Sequence, residues 1–205
     1  MVSIYELKPR FQALLRPLCR GLAGMGVTAN QVTIAAVVLS AASGAWIAFS
    51  EDPSWALLML PVVLFARMAL NAIDGMLARE FDMQTALGGV LNEMGDVVSD
   101  ALIYLPFALL PGMPTWGVIG IVLLAVMIEM VGVVSVQVGG TRRYDGPFGK
   151  SDRAFFFGTL GLIIGAGVAY STWIDWLVIA ALALSVWTGL NRAKKGLAEV
   201  GDTQC

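Results

Sequence analysis

Six apolar runs leave this chain few folds. They lie at about 31–50, 55–79, 85–111, 115–138, 153–171 and 173–191. Each is near the roughly 20 residues that a helix needs to cross a bilayer. Hydrocarbon offers the backbone no water, so a spanning run must satisfy its own hydrogen bonds, and a helix does so. The expectation is an all-α integral membrane protein with six transmembrane helices. The connections EDPS, REFDMQ, PGMPT, GGTRRYDGPFGKSD and STWID carry proline, glycine and charge. They leave no room for a soluble domain, so residues 1–205 read as a single membrane domain. Of the 205 residues, 58% are hydrophobic and 14% charged. A soluble domain is nearer half and a quarter.

The residue inventory excludes some chemistry. There is no histidine, so neither His catalysis nor a His-ligated metal is available. Cys19 and Cys205 form no CxxC pair, and neither a disulfide framework nor a thiolate metal site is supported. The first 20 residues carry Glu6, Lys8, Arg10, Arg16 and Arg20 without a continuous apolar stretch, unlike a cleavable signal. Over 4–22, Ile4, Leu7, Phe11, Leu14, Leu15, Leu18 and Leu22 fall on one helical face, flanked by Lys8, Arg16 and Arg20. This predicts an N-terminal amphipathic helix in the membrane interface. A helix docked on the protein itself is the alternative.

The basic residues set an orientation, because cytoplasmic loops collect Lys and Arg. Lys8, Arg10, Arg16 and Arg20 precede the first span, and Arg79 closes the second. Arg142, Arg143, Lys150 and Arg153 lie between the fourth and fifth, and Arg192, Lys194 and Lys195 follow the sixth. The other three loops contain neither Lys nor Arg. Both termini are therefore expected in the cytoplasm. Trp46, Trp55, Trp116, Trp173 and Trp176 cluster near the opposite loops, as an interfacial belt does.

Arg67 breaks the pattern. It lies inside the second span, 12 residues before Arg79, or roughly 18 Å at helical rise. An ionisable residue inside a membrane segment points to a functional site. At 100° per residue, Arg67, Asn71, Asp74 and Ala78 share a face of the second span, with Gly75 beside it. Thr85, Gly88, Asn92, Asp96, Ser99 and Asp100 share a face of the third. An antiparallel pair joined by a short loop sets Asp74 and Asp96 at similar depth, near the cytoplasmic side. Two opposed oxygen-rich faces suit Mg²⁺ or Mn²⁺. Arg79 at the mouth can donate to a phosphate oxygen. Gly75, Ala78 and Gly88 leave room for a ligand. Plainer roles also exist: small residues at a helix contact, asparagines paired between helices, Arg79 as a topology residue, aspartates on an ion path.

NAIDGMLAREFDMQTALGGVLNEMGD resembles the signature of the CDP-alcohol phosphotransferases, D-x2-D-G-x2-A-R-x8-G-x3-D-x3-D. The spacing matches throughout, and Asp74, Gly75, Ala78, Arg79, Gly88 and Asp96 match six of its eight fixed residues. TANQVT (Thr28 to Thr33) looks like the segment that opens the first span in many members. GKSDR (Gly149 to Arg153) looks like the basic start of their fifth. The resemblance implies transfer of a phosphatidyl group from a CDP-activated lipid, usually CDP-diacylglycerol, to an alcohol, with release of CMP. It implies metal ligation by positions 71, 74, 92 and 96, with Asp96 also the base. It further implies diphosphate contact by Arg79 and nucleotide approach along Gly75, Ala78, Asn30 and Thr33. A homodimer in a bacterial inner membrane, with the site facing the cytoplasm, is typical of that family. No nucleic-acid partner is expected.

The departures are Asn71 and Asn92, which stand where the signature has its first and third aspartates. An amide oxygen can ligate a hard cation but brings no charge. One ion, or two held weakly, is the expectation. Glu93 and Asp100 are neighbouring carboxylates that can compensate. Arg67 is expected to pair within the membrane, with Glu129 of the fourth span as the favoured partner. Arg142, Arg143, Lys150 and Arg153 are candidates to hold a phosphate on the acceptor alcohol, or else simply set topology. Two rival readings stand beside the transferase. One is a weakly active or inactive member that binds nucleotide-lipid or partners. The other is an ion-coupled transporter, against which the third span ends in apolar ALIYLPFALL beyond Asp100.

Overall fold

The computed structural model describes residues 4–203, with side chains from 9 to 201. The contributions expected of Ile4, Glu6, Leu7 and Lys8 and of Cys205 lie outside the described side chains. Among the described residues seven α-helices follow in order: α1 (Ile4–Gly24), α2 (Ala29–Phe49), α3 (Ser54–Glu80), α4 (Ala86–Tyr104), α5 (Thr115–Gln137), α6 (Lys150–Gly165) and α7 (Thr172–Thr203). No strand occurs among the described residues. Four stretches, Ala29–Phe49, Ser54–Glu80, Thr115–Gln137 and Thr172–Gly201, are long and apolar enough to cross a membrane.

The other two expected spans depart from the apolar runs for local reasons. The run at 85–111 is divided. Helix α4 carries Glu93, Asp96 and Asp100, and a 3-10 turn at Leu105–Leu109 follows it. Pro106 has no N–H to give the Leu102 carbonyl, so the α-helical ladder fails there. The run at 153–171 is helical only over Lys150–Gly165, 16 residues. That is roughly 24 Å of helix against about 30 Å of hydrocarbon. Gly167, at φ +85°, turns the chain out of the helix. Val168 N–H then donates to Ile163 O (3.2 Å) and Gly167 N–H to Ile164 O (2.9 Å), which closes the end. Helix α7 instead overruns its apolar run by continuing to Thr203.

Caps fix where the polar helices begin. Thr28 and Gln31 form a reciprocal box at the start of α2: Gln31 N–H donates to Thr28 Oγ1 (3.3 Å), and Thr28 N–H donates to Gln31 Oε1 (2.9 Å). Thr85 Oγ1 accepts Gly88 N–H at 2.9 Å and starts α4.

The chain divides into two compact units. The first comprises Met1–Ser43 and Val62–Ser99, the second Gly44–Pro61 and Asp100–Cys205. In the first, Cys19, Ala29, Val32, Ile73, Met76 and Leu77 form the core, with Leu15 and Leu22 packed against it. Phe11 meets Phe65 edge-on at 5.9 Å between ring centres. Arg16 holds Glu80 through Nε (2.9 Å) and Nη2 (3.0 Å). The apolar face of α1 is thus shared. Phe11, Leu15 and Leu22 dock on the protein, while Leu14 and Leu18 stay exposed. Docking and an outward apolar edge belong to one helix.

In the second unit, Tyr104 stacks on Phe157 at 4.3 Å, and Phe107 and Phe156 each meet Phe157 edge-on at 5.1 Å. Val118, Ile121, Ile128 and Val178 are buried around α5 and α7. Ser185 and Thr188 donate to the carbonyls four residues back, Ala181 (2.7 Å) and Leu184 (2.8 Å), so neither hydroxyl is orphaned. Pro53, Pro111, Met113 and Tyr170 line one small cavity. The three loops without Lys or Arg therefore meet at one end of this unit. Phe155, Trp176, Trp187 and Leu190 stay exposed. Large apolar side chains left outside on long helices are the surface a helix shows to lipid.

Candidate functional site

The signature stretch lies wholly in the first unit, on α3, the loop after it, and α4. Helical spacing brings Arg67, Asn71, Asp74 and Ala78 to one face of α3, as expected. Arg67 and Asp74 are buried, at 3% and 4% exposure. A buried carboxylate must find hydrogen bonds or a cation. Asp74 Oδ2 accepts the Thr33 hydroxyl of α2 at 2.8 Å. Asp96 of α4 is half-buried. Its Oδ1 accepts Asn71 Nδ2 at 3.0 Å. Arg67 Nη2 donates to the Asp96 backbone carbonyl at 3.0 Å and lies 3.8 Å from Oδ1. An amide and a guanidinium from α3 therefore converge on the carboxylate that the signature makes the base. The hydrogen bond to Asp96 joins the two halves of the signature directly.

Small residues bring the backbones close. A methyl group on Gly88 would press on Asn30 Oδ1 and Thr85 Oγ1, and one on Gly95 would touch Val37 and Thr33. These glycines, seven residues apart on α4, let α2 approach and carry Asn30 and Thr33 to the site. A methyl on Gly75 would press on the Arg79 guanidinium, so Arg79 lies back over Gly75. Gly75 and Ala78 are half-buried, whereas Arg79 and Asn92 are exposed. Thr33 was expected on the nucleotide side. Its bond to Asp74 adds a role in orienting that carboxylate, which helical periodicity alone does not reveal.

Other candidates belong to the second unit. Asp100 Oδ2 accepts Arg153 Nη2 (2.8 Å) and Nε (3.1 Å), so its charge is already answered there. Glu129 accepts from three arginines: Arg142 Nη2 (3.0 Å), Arg192 Nη1 (3.2 Å) and Arg153 Nη2 (3.3 Å). The bonds seen for Arg67 and Glu129 are to other residues than each other. Arg67 serves Asp96, and three arginines take up the acceptor positions of one carboxylate, which offers about four. Arg143 bonds Asp145 (2.9 Å) and Glu199 (3.1 Å). Lys150 opens α6 and is half-buried, and Glu93 is half-buried on α4.

Arg192 and Asp145 are the residues that sequence reasoning missed. Arg192 reads as a topology residue, yet it is 2% exposed. One signal existed: it continues the buried stripe Ala181, Ser185, Thr188 at helical spacing. Asp145, in the loop before α6, accepts Lys195 Nζ at 2.9 Å. Lys195 and then Arg143 hold its carboxyl below the usual aspartate range.

By chemistry the donor types suit a hard divalent cation. Asp74 and Asp96 offer two carboxylates, and Asn71 and Asn92 offer amide oxygens, which suits a hard ion. Among the described residues, no three His, Cys, Asp or Glu side chains gather as a metal-holding group. The two carboxylates carry two negative charges, and Arg67, 3.8 Å from Asp96 Oδ1, already offsets part of one.

The family model described as CDP-alcohol phosphatidyltransferase matches residues 26–187. Inner membrane protein YnbA of Escherichia coli (strain K12) is 44% identical over 196 residues, covering 96% of this chain and 97% of that protein. The crystal structure of Mycobacterium tuberculosis phosphatidylinositol phosphate synthase with CDP-DAG bound superposes with a TM-score of 0.71, at 21% identity, over 90% of this chain and 92% of that one. The same synthase in complex with manganese and citrate gives a TM-score of 0.69 at 22% identity, over 88% of each chain. At such identities the likeness is one of fold.

Proposed function

Because this chain belongs to the CDP-alcohol phosphatidyltransferase family, we propose that it transfers a phosphatidyl group from CDP-diacylglycerol to an alcohol and releases CMP. The observation that carries this reading is the Asn71–Asp96 hydrogen bond, at 3.0 Å, within one unit that also holds Asp74, Gly75 and Arg79. Asp74 and Asp96, with the amide oxygens of Asn71 and Asn92, would hold a Mg²⁺ or Mn²⁺ ion, which would supply charge to stabilise the transferring phosphoryl group and the leaving CMP. Thr33 fixes the Asp74 carboxylate for that task. Arg79 gives the diphosphate two parallel N–H donors. Gly75 and Ala78 leave its approach clear, and Asn30 borders the nucleotide side.

Asp96 takes the proton of the acceptor hydroxyl as the alcohol oxygen bonds to the phosphatidyl phosphorus. The bond from that phosphorus to the oxygen bridging to CMP breaks, and its electron pair leaves with CMP. Arg67 and Asn71 hold Asp96 in position. We place the protein in a bacterial inner membrane, with six helices traversing it and with both termini and the site at the cytoplasmic side. The distribution of Lys and Arg supports this orientation, and the E. coli relative is named as an inner membrane protein.

Purified protein in nanodiscs with CDP-diacylglycerol, Mn²⁺ and a panel of alcohols tests the reading by CMP release and lipid mass spectrometry. Asp96→Asn is expected to lose about 10²–10⁴-fold in rate, the usual worth of a positioned base. An Asp96→Asn protein as fast as wild type would remove Asp96 from its role. A wild type that binds CDP-diacylglycerol without turnover would make it a binding member of the family.

A further inference from the structure

Arg67 lies one helical turn before the signature begins at Asn71, and it is 3% exposed. A guanidinium taken out of water needs a countercharge. Its Nη2 donates to the Asp96 backbone carbonyl at 3.0 Å and lies 3.8 Å from Asp96 Oδ1. Asn71 Nδ2 bonds that same carboxylate oxygen at 3.0 Å. All three residues belong to the first unit. Asp96 therefore meets a full positive charge and a neutral donor on the side where the signature sets another carboxylate. A guanidinium keeps its charge at any physiological pH, so this cation is permanent. A neutral amide would bond the same carbonyl without the cost of burying a charge.

Charge then limits how many divalent ions the hairpin takes. Aspartates at 71, 74, 92 and 96 would carry four negative charges, enough for two doubly charged ions. Asn71 and Asn92 reduce the four to two. Arg79 and Glu93, nearer the connecting loop, sum to zero, and Glu80 is bonded by Arg16. A first ion matches what remains. A second would stand against the Arg67 guanidinium, beside side chains at 67 and 74 that are nearly closed to water. Like charges repel most strongly where water is excluded.

We propose that Arg67 is a resident cation of the site: its guanidinium balances charge beside Asp96 where a second divalent ion would otherwise do so, and the chain takes one such ion. Arg67 is a positioning residue, acting through Asp96. This inference rests on the transferase reading above, which supplies the metal, and fixes the number of ions.

The test counts Mn²⁺ on metal-stripped protein in nanodiscs, without nucleotide or alcohol. Titration calorimetry gives the affinity, and the electron paramagnetic resonance of free Mn²⁺ gives the number bound. Wild type, Arg67→Gln and Arg67→Lys are compared. Wild type is expected to bind one Mn²⁺ per chain. Arg67→Gln removes the charge and keeps a donor. It is expected to take up a second ion or to bind the first about 10-fold more tightly, the scale of a screened unit charge beside a divalent ion. Arg67→Lys, which keeps the charge, should bind as wild type does. Two ions on wild type would overturn the proposal. So would a Gln variant with wild-type count and affinity, or a Lys variant that gains as Gln does. No Mn²⁺ on wild type overturns the proposal and also takes the metal out of the transferase reading. One ion with no CMP release from any alcohol removes the transferase alone and leaves the ion count standing. If Arg67→Gln does not fold even in Mn²⁺, the counts on wild type and Arg67→Lys decide: one on each supports the proposal, and two on either overturns it.

Discussion

At residue scale, Asn71 gives Asp96 a neutral hydrogen-bond donor where the signature has a second carboxylate. Its amide nitrogen lies 3.0 Å from Asp96 Oδ1 and supplies the positive end of a dipole to that carboxylate. Replacing it with aspartate would set two carboxylates at that spacing, and two such groups cannot both ionise without a cation. Asn71→Asp is therefore expected to lower the thermal midpoint in EDTA by the equivalent of about 1–2 kcal/mol, the worth of a hydrogen bond to a charged group. Mn²⁺ should restore the midpoint, and calorimetry should find more ion bound per chain than in wild type. A variant equally stable with and without Mn²⁺ would show that the amide does not stand in for charge. The carboxylates at 74 and 96 were legible from spacing, because a helix maps position in sequence onto direction. The partners of Asp100 and Glu129 were not legible. Arg153 lies 53 residues from Asp100 and 24 from Glu129, and no periodicity links different helices.

At the scale of elements, proline and glycine decide where helices stop and how near they come. Pro106 leaves the Leu102 carbonyl without its helical donor. That carbonyl faces Gly44 of α2 so closely that a methyl group there would collide with it. Gly44→Ala must push the two backbones apart and is expected to cost about 1–3 kcal/mol, the range for forcing a group into a packed site. Thermal unfolding in detergent measures it, and Ala42→Gly, on the same helix, serves as a control for composition. An unchanged midpoint in Gly44→Ala would mean that α2 can shift freely there. The short α6 and long α7 have the same kind of cause. Gly167 ends one, and no breaker ends the other before Thr203. Hydropathy marks the apolar runs and not the helix ends, because it measures solvent preference and not backbone geometry.

At the scale of the whole molecule, charge governs both orientation and the loop between α5 and α6. Asp145 is held by Lys195 and Arg143, which keep its carboxyl below the usual range. A depressed carboxylate contributes its stability above the unfolded value, near 4, and loses it as pH falls through the folded value. Protection of the 138–149 loop in hydrogen exchange should therefore be constant from neutrality to about pH 4 and fall below it. Asp145→Asn should lose that protection at neutral pH. The orientation makes a separate prediction. Single cysteines at Asp52, Gly112 and Ser171 should react with an impermeant thiol reagent from outside intact cells, whereas one at Tyr144 should react only after lysis. Labelling of Tyr144→Cys in intact cells would reverse the orientation.

By itself the sequence determined that the chain is helical and that it belongs in a membrane, and it singled out Asp74, Arg79 and Asp96 as candidate site residues. The reasons are local: apolar length answers to bilayer thickness, and motif spacing answers to helical pitch. Only the tertiary structure decided what each buried charge faces. It gave Asp96 to Asn71 and Arg67, and Asp74 to Thr33. It gave Glu129 to three arginines that basic-residue counting had left for a phosphate. A charge removed from water must take the partner that packing brings within hydrogen-bond reach, and packing joins residues far apart in the chain.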